Sequence, residues 1–138
     1  MSFLYRKINN YPKPQNIIFE ILESDFIEDF SIVKEFTNST RTYGWKIAID
    51  DFGSGYSNME NILKIKPEII KIDGSLIKNI NSAEESKTIV RNIVNMAKEL
   101  NAQTVAEYVH SKEVFDVVKN MKIDFLQGFY LSEPKNNF

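Results

Sequence analysis

Short apolar runs alternate with longer amphipathic ones along this chain. The runs NIIFEIL (16–22), KIAID (46–50), EIIKID (68–73), QTVAEYV (103–109) and DFLQGFYL (124–131) are mostly β-branched or aromatic. Nearly continuous apolarity predicts strands of a parallel sheet covered on both faces. Between the last three runs, Ile89, Ile93, Met96, Ala97 and Leu100 recur at steps of three and four. That spacing predicts a helix burying one face, and Val114, Val117, Val118 and Met121 predict a second. Ser57-x-x-Glu60 and Ser82-x-x-Glu85 match the capping box, in which a hydroxyl and a carboxylate satisfy orphan N–H groups at a helix start. Gly44 reads as a C-terminal stop for the first helical stretch. The predicted order is β-α-β-α-β-α-β-α-β with right-handed crossovers. Residues 1–15, which end in YPKP and one more residue, read as an N-terminal arm.

Length and composition bound this picture. A chain of 138 residues with 43% hydrophobic content suits one domain with a real core. Seventeen basic and nineteen acidic residues are well mixed, with a net charge of -2, which argues against a surface that coats DNA or another polyanion. A small anionic ligand held by a few groups and a metal stays compatible with it. The absence of cysteine excludes disulfides and thiolate metal sites. No signal-peptide pattern opens the chain, and no apolar run approaches the roughly 18 residues that span a membrane. A cytoplasmic protein is the expectation.

Candidate chemistry lies in the polar residues inside the apolar runs: Glu20, Asp50, Lys71, Glu107 and Gln127. An unpaired buried charge is costly, so such groups pair, bind a metal, or stand at an open strand end. In α/β folds the C-terminal strand ends form the ligand site. Five such residues on five parallel strands would converge at one rim. Carboxylates without histidine or cysteine suit hard cations such as Mg²⁺ or Mn²⁺. Plainer readings stand beside this one. An aspartate at a strand end is commonly a cap or turn former. Adjacent extended residues project to opposite faces, so Asp51 joins Asp50 only if the chain turns, a turn that FGSG supplies. Lys71 could pair with Asp73 on an edge strand, and Gln127 could be a core amide. His110 reads as a surface or capping residue, and Phe26, Phe30, Phe36 and Trp45 as core.

The blocks FEILES, AIDDFGSGYSNM, IKIDGSLI, VAEYV and LQGFYLSEP, in this order and at these spacings, resemble the EAL domains, bacterial cyclic di-GMP phosphodiesterases. The likeness covers roughly residues 16 to 134. It implies an α/β fold, a partial TIM-like (β/α) barrel of about five parallel strands alternating with helices, with residues 16–138 as a truncated EAL-like domain. It also implies hydrolysis of cyclic di-GMP to linear pGpG by two divalent metals, Mg²⁺ or Mn²⁺. By matching position, Glu20, Asp50, Asp51 and Glu107 resemble metal ligands. Lys71 resembles the residue that orients or deprotonates the attacking water. Glu23 resembles the glutamate that steadies the loop after Asp51, and Gln127 a polar contributor to the site. A protein-kinase reading of DFG fails for want of the accompanying motifs.

The chain also departs from the family pattern. The Glu-Ala-Leu segment and the next strand, each carrying a metal ligand, have no counterpart. AEYVH replaces AEGVE, placing Tyr108 for a glycine and His110 for a glutamate, and Glu133 stands where a basic residue is common. An incomplete barrel leaves the first strand at an open apolar edge. The expectation is cover by a homodimer or another polypeptide, with little activity for the chain alone. The alternative is a degenerate module that binds cyclic di-GMP or a protein partner.

Overall fold

The structure, a computed structural model, describes residues 13, 16–24, 30–55 and 59–135. Five strands form one parallel sheet in sequential order: β1 (Ile18–Leu22), β2 (Lys46–Phe52), β3 (Ile69–Ile72), β4 (Gln103–Ala106) and β5 (Phe125–Leu126). The helices are α1 (Phe30–Arg41), α2 (Met59–Ile65), α3 (Gly74–Lys78), α4 (Glu84–Glu99) and α5 (Lys112–Asn120). The predicted alternation holds, with the short α3 added between β3 and α4. Among the described residues no helix is long and apolar enough to cross a membrane. The proposed arm, the Ser57 cap and Phe26 lie outside the described residues, except for Lys13 of the arm.

Strand alternation sorts the sheet into two unlike faces. Ile47, Ile49, Ile70, Ile72 and Ala106 are fully buried against helix residues such as Ile62, Ile77, Val90, Ile93 and Val118. The register pairs Glu20 with Ala48, Ala48 with Ile69, Lys71 with Val105 and Val105 with Phe125. These residues therefore share the opposite face, together with Ile18 and Leu22. Ile18, Leu22 and Phe125 are 44–51% exposed. The expectation of cover on both faces is corrected here: among the described residues, helices cover one face and the other is open. Small Ala48 and half-buried aliphatics on that second face prolong the apolar runs without a second helical layer.

Acidic residues at the strand starts are tied into the backbone. Glu68 accepts hydrogen bonds from the Ile47 N–H (2.8 Å) and the Arg41 guanidinium (3.2 Å), locking α1 and β2 to the entry of β3. Asp124 accepts from the Thr104 N–H (2.7 Å) and hydroxyl (2.9 Å) at the entry of β5. Buried backbone donors need such partners.

Helix boundaries and faces depart in detail from the expected ones. The N-cap of α4 is Ala83, with no side-chain cap bond, while the Ser82 hydroxyl donates to the Asn79 carbonyl. The buried face of α4 is Val90, Ile93, Val94 and Ala97, and Ile89 is exposed. The packed face is thus rotated by about one residue from the predicted one. Gly44 has φ +76 in the turn that ends α1, as expected of a stop. Trp45 is buried, and Phe30 and Phe36 pack at the core's margin.

Candidate active site

Four of the polar residues singled out in the sequence meet at the C-terminal ends of β1 to β4. The Lys71 ammonium lies 2.9 Å from Asp50 Oδ1, 3.1 Å from Glu107 Oε1 and 3.2 Å from Glu20 Oε2. β3 projects Lys71 onto the open face between its neighbours, so it reaches β1, β2 and the residue after β4 at once. Asp73 is not its partner. That carboxylate N-caps α3, accepting from the Ser75 N–H at 2.9 Å and from the Ser75 hydroxyl.

Asp51 reaches the same place through its own backbone. Its φ is +54, and the β2–β3 register shifts between Ile49 and Phe52. A bulge re-aims a side chain in this way, and aspartate tolerates the left-handed region better than most residues. The turn that brings Asp51 beside Asp50 is therefore at Asp51 itself, one step earlier than the glycine-rich loop. One carboxylate oxygen each from Asp50, Asp51 and Glu107 lies within 4.8 Å of the others.

The electrostatics follow from this crowding. Burial raises the Asp51 carboxyl above its ordinary value, and the charges of Asp50 and Asp73 raise it further against the pull of Lys71. Burial likewise raises Glu107, opposed by the hydrogen bond and charge of Lys71. For Lys71, burial favours the neutral amine, but hydrogen bonds to Asp50, Glu107 and Glu20 outweigh it and raise its pKa. Four carboxylates thus face one ammonium. Hard oxygen donors of this kind fit a divalent cation, and Asp50, Asp51 and Glu107 form a group that could hold one. Glu20 stays with Lys71 and is not part of the three-carboxylate group.

Glu23 stands behind this rim. It is buried, its N–H donates to the Asp50 carbonyl (3.1 Å), and its Oε2 accepts from the Gly53 N–H (3.1 Å) and the Ser54 hydroxyl (3.5 Å). It therefore pins the loop that follows Asp51. Gly53 fits there with φ +93, and a Cβ would meet Leu76 Cδ1 at 2.6 Å.

Gln127 is not among the Lys71 contacts. It follows β5, donates its N–H to the Ala106 carbonyl (2.9 Å), and accepts from the Val109 N–H (3.0 Å). Its side chain lines a neighbouring cavity of about 210 Å³ with Tyr108, His110 and Phe129. Tyr108 has φ +62, and its ring lies 5.2 Å from that of His110. His110 is exposed, with Nδ1 3.2 Å from the Tyr108 carbonyl oxygen, and is outside the acidic group. Sequence reasoning missed Glu68, Asp124 and the cap at Asp73. Only the last carried a signal, an aspartate directly before Gly-Ser and an apolar pair.

An EAL domain family model matches residues 1–134 of the chain. A cyclic di-GMP phosphodiesterase, PdeA, of Borreliella burgdorferi is 36% identical over 121 residues, covering 88% of this chain and 18% of the relative. An EAL domain protein structure from Listeria monocytogenes is similar with a TM-score of 0.84 and 30% identity, over 96% of this chain and 53% of that one. The Klebsiella pneumoniae BlrP1 complex with manganese and cyclic di-GMP is similar with a TM-score of 0.83 and 27% identity, over 92% of this chain and 36% of that one. The chain spans less than a fifth of the length of the curated relative named above.

Proposed function

The chain belongs to the EAL domain family, and from that premise we propose that its strand-end cluster is a metal-dependent site for hydrolysis of cyclic di-GMP to linear pGpG. One observation carries this reading. Asp50, Asp51 and Glu107 bring three carboxylate oxygens within 4.8 Å, beside an ammonium that already binds two of those residues. The neighbouring BlrP1 complex with manganese and cyclic di-GMP supports both the cation and the substrate class.

In this reading Asp50, Asp51 and Glu107 would hold the cations, Mg²⁺ or Mn²⁺, and Glu20, paired with Lys71 in this structure, would join them from the β1 side by leaving that ammonium. Bound divalent cations acidify a water and stabilise the attacking and leaving oxygens of an in-line displacement. Water adds to phosphorus, the ester P–O bond to the ribose oxygen breaks, and a proton ends on that oxygen. The chain's own groups supply position. Lys71, held by the carboxylates of Asp50, Glu107 and Glu20 that raise its pKa, orients a water or phosphate oxygen. Glu23 fixes the loop that carries Asp51, and Gln127 contacts substrate from the adjacent cavity. We assign the domain to the cytoplasm, the compartment of such a nucleotide.

The face that bears the cluster is open among the described residues, so we further propose that a second copy or another polypeptide covers it and that the chain alone turns over slowly. A second reading, a module that binds the dinucleotide or a protein without cleaving it, is favoured by one observation: Tyr108 and His110 line the cavity shared with Gln127, where the family pattern has a glycine and a glutamate. Calorimetric titration with cyclic di-GMP, with and without Mn²⁺, while following pGpG, separates the two. Mn²⁺-dependent binding with pGpG formation supports the enzyme. Binding without product supports the second reading, and no binding under either condition rejects both nucleotide readings.

A further inference from the structure

Away from the strand ends, α4 and α5 border an open groove of about 410 Å³. Its floor is apolar, with Val94 buried and Val117 and Met121 half-buried. Every charged residue lining it is a cation, namely Lys87, Arg91 and Lys122, and no carboxylate lines it among the described residues. Lys87, Arg91 and Asn95 follow at steps of four along α4, a row about 12 Å long at ~1.5 Å per residue. Asn120 adds a carboxamide from α5. An extended peptide of about four residues has the same length.

We propose that this groove docks a short acidic segment of a partner protein, its aliphatic side chain on the Val94–Val117–Met121 floor and its carboxylates at the three cations. Charge complementarity selects the occupant. A nucleic acid is disfavoured because the lining offers no aromatic ring for base stacking and the chain is net negative. A small hydrated anion gains nothing from an apolar floor. The chain holds an internal competitor at the rim: Glu84 is exposed and lies 2.5 Å from the Lys87 ammonium, and the Arg91 charge also acts on it. An incoming carboxylate takes the place of Glu84 at Lys87. Lys122 has φ +59, so Lys122→Gly removes an ammonium from a backbone conformation that glycine adopts freely.

The test is fluorescence anisotropy of the full chain with a fluorescein-labelled peptide, Glu-Asp-Leu-Glu-Glu-Leu-Asp, at low salt. The same peptide with amides for acids and an oligothymidylate serve as controls, and circular dichroism confirms that each variant is folded. Saturable binding of the acidic peptide is expected, with backbone amide NMR shifts confined to α4 and α5. Arg91→Glu should weaken it about tenfold through like-charge repulsion, and Lys122→Gly about threefold, as for an exposed ion pair. Glu84→Gln should tighten it by freeing Lys87. Equal affinity in Arg91→Glu and Lys122→Gly, shifts elsewhere, or equally tight binding of the amide peptide or the oligonucleotide would overturn the proposal.

Discussion

Asp51 owes its place to a single left-handed backbone dihedral, φ +54, which sets its carboxylate beside those of Asp50 and Glu107. If that trio holds a cation, Mn²⁺ must raise the melting temperature, because a ligand that binds only the folded state stabilises it by about 2.7 kcal/mol at a hundred times its dissociation constant. Asp50→Asn and Asp51→Asn should each remove most of that rise, which differential scanning fluorimetry across a Mn²⁺ series measures. Acid titration probes the same groups without metal. Burial raises Asp51 and Glu107 above their ordinary values of 3.8 and 4.5. A carboxyl raised in this way contributes stability that is full below its unfolded value and lost as pH rises through its folded value. Urea denaturation of chelator-treated protein should therefore show Glu107→Gln gaining on the wild type from about pH 4 upward. Parallel curves would show that Lys71 compensates the pair fully.

The elements rest on local features of unequal weight. Ser111 N-caps α5, accepting from the Val114 N–H at 3.3 Å, so Ser111→Ala should cost about 1 kcal/mol. Ser82→Ala should stay within ~0.5 kcal/mol, since Ser82 caps nothing; chemical denaturation compares the two. Gly128 is tighter than either. A Cβ there would lie 2.2 Å from the Val109 carbonyl oxygen and 2.4 Å from its nitrogen. Because backbone atoms cannot rotate away, Gly128→Ala should cost about 2–3 kcal/mol, and it should displace Tyr108 and His110 with Val109. The contrast shows what periodicity can carry. The alternation of strands with helices, the short α3 excepted, and the α5 face follow from spacing, as do Lys71 and its three acidic contacts from one polar residue per run. The α4 face was off by a residue because Ile89 and Val90 are both apolar, and only packing chooses between them. Glu68 and Asp124 were illegible because their partners, backbone N–H groups of the neighbouring strand together with Arg41 and the Thr104 hydroxyl, are about twenty or more residues away, where no local pattern names them. The bulge at Asp51 was hidden for a related reason: it depends on pairing with β3, not on the residue type.

At the scale of the whole molecule, the sheet is covered by helices on one side among the described residues. The helix-covered face is closed by isoleucine and valine, whereas the other carries Glu20 and Lys71 between exposed Ile18, Leu22 and Phe125. Exposed apolar side chains thus stand at both edges of this face, Ile18 and Leu22 on β1 and Phe125 on β5, and exposed apolar surface of this kind marks an interaction site. An open β1 edge adds unpaired backbone donors and acceptors among the described residues. The cluster lies on this face, so whatever covers the apolar residues also limits water at Lys71 and strengthens its contacts with Asp50 and Glu107. Association and site chemistry are then linked in both directions. Light scattering behind size-exclusion chromatography should show mass rising with concentration, and Leu22→Asn with Phe125→Ser should shift that rise to higher concentration. Both side chains are exposed, so the double variant should keep its fold by circular dichroism. It should also lose Mn²⁺ stabilisation at low protein concentration, where the wild type retains it. A monomer at every concentration, with an undiminished Mn²⁺ response in the variant, would separate the two surfaces and leave the acidic cluster working alone on an open sheet.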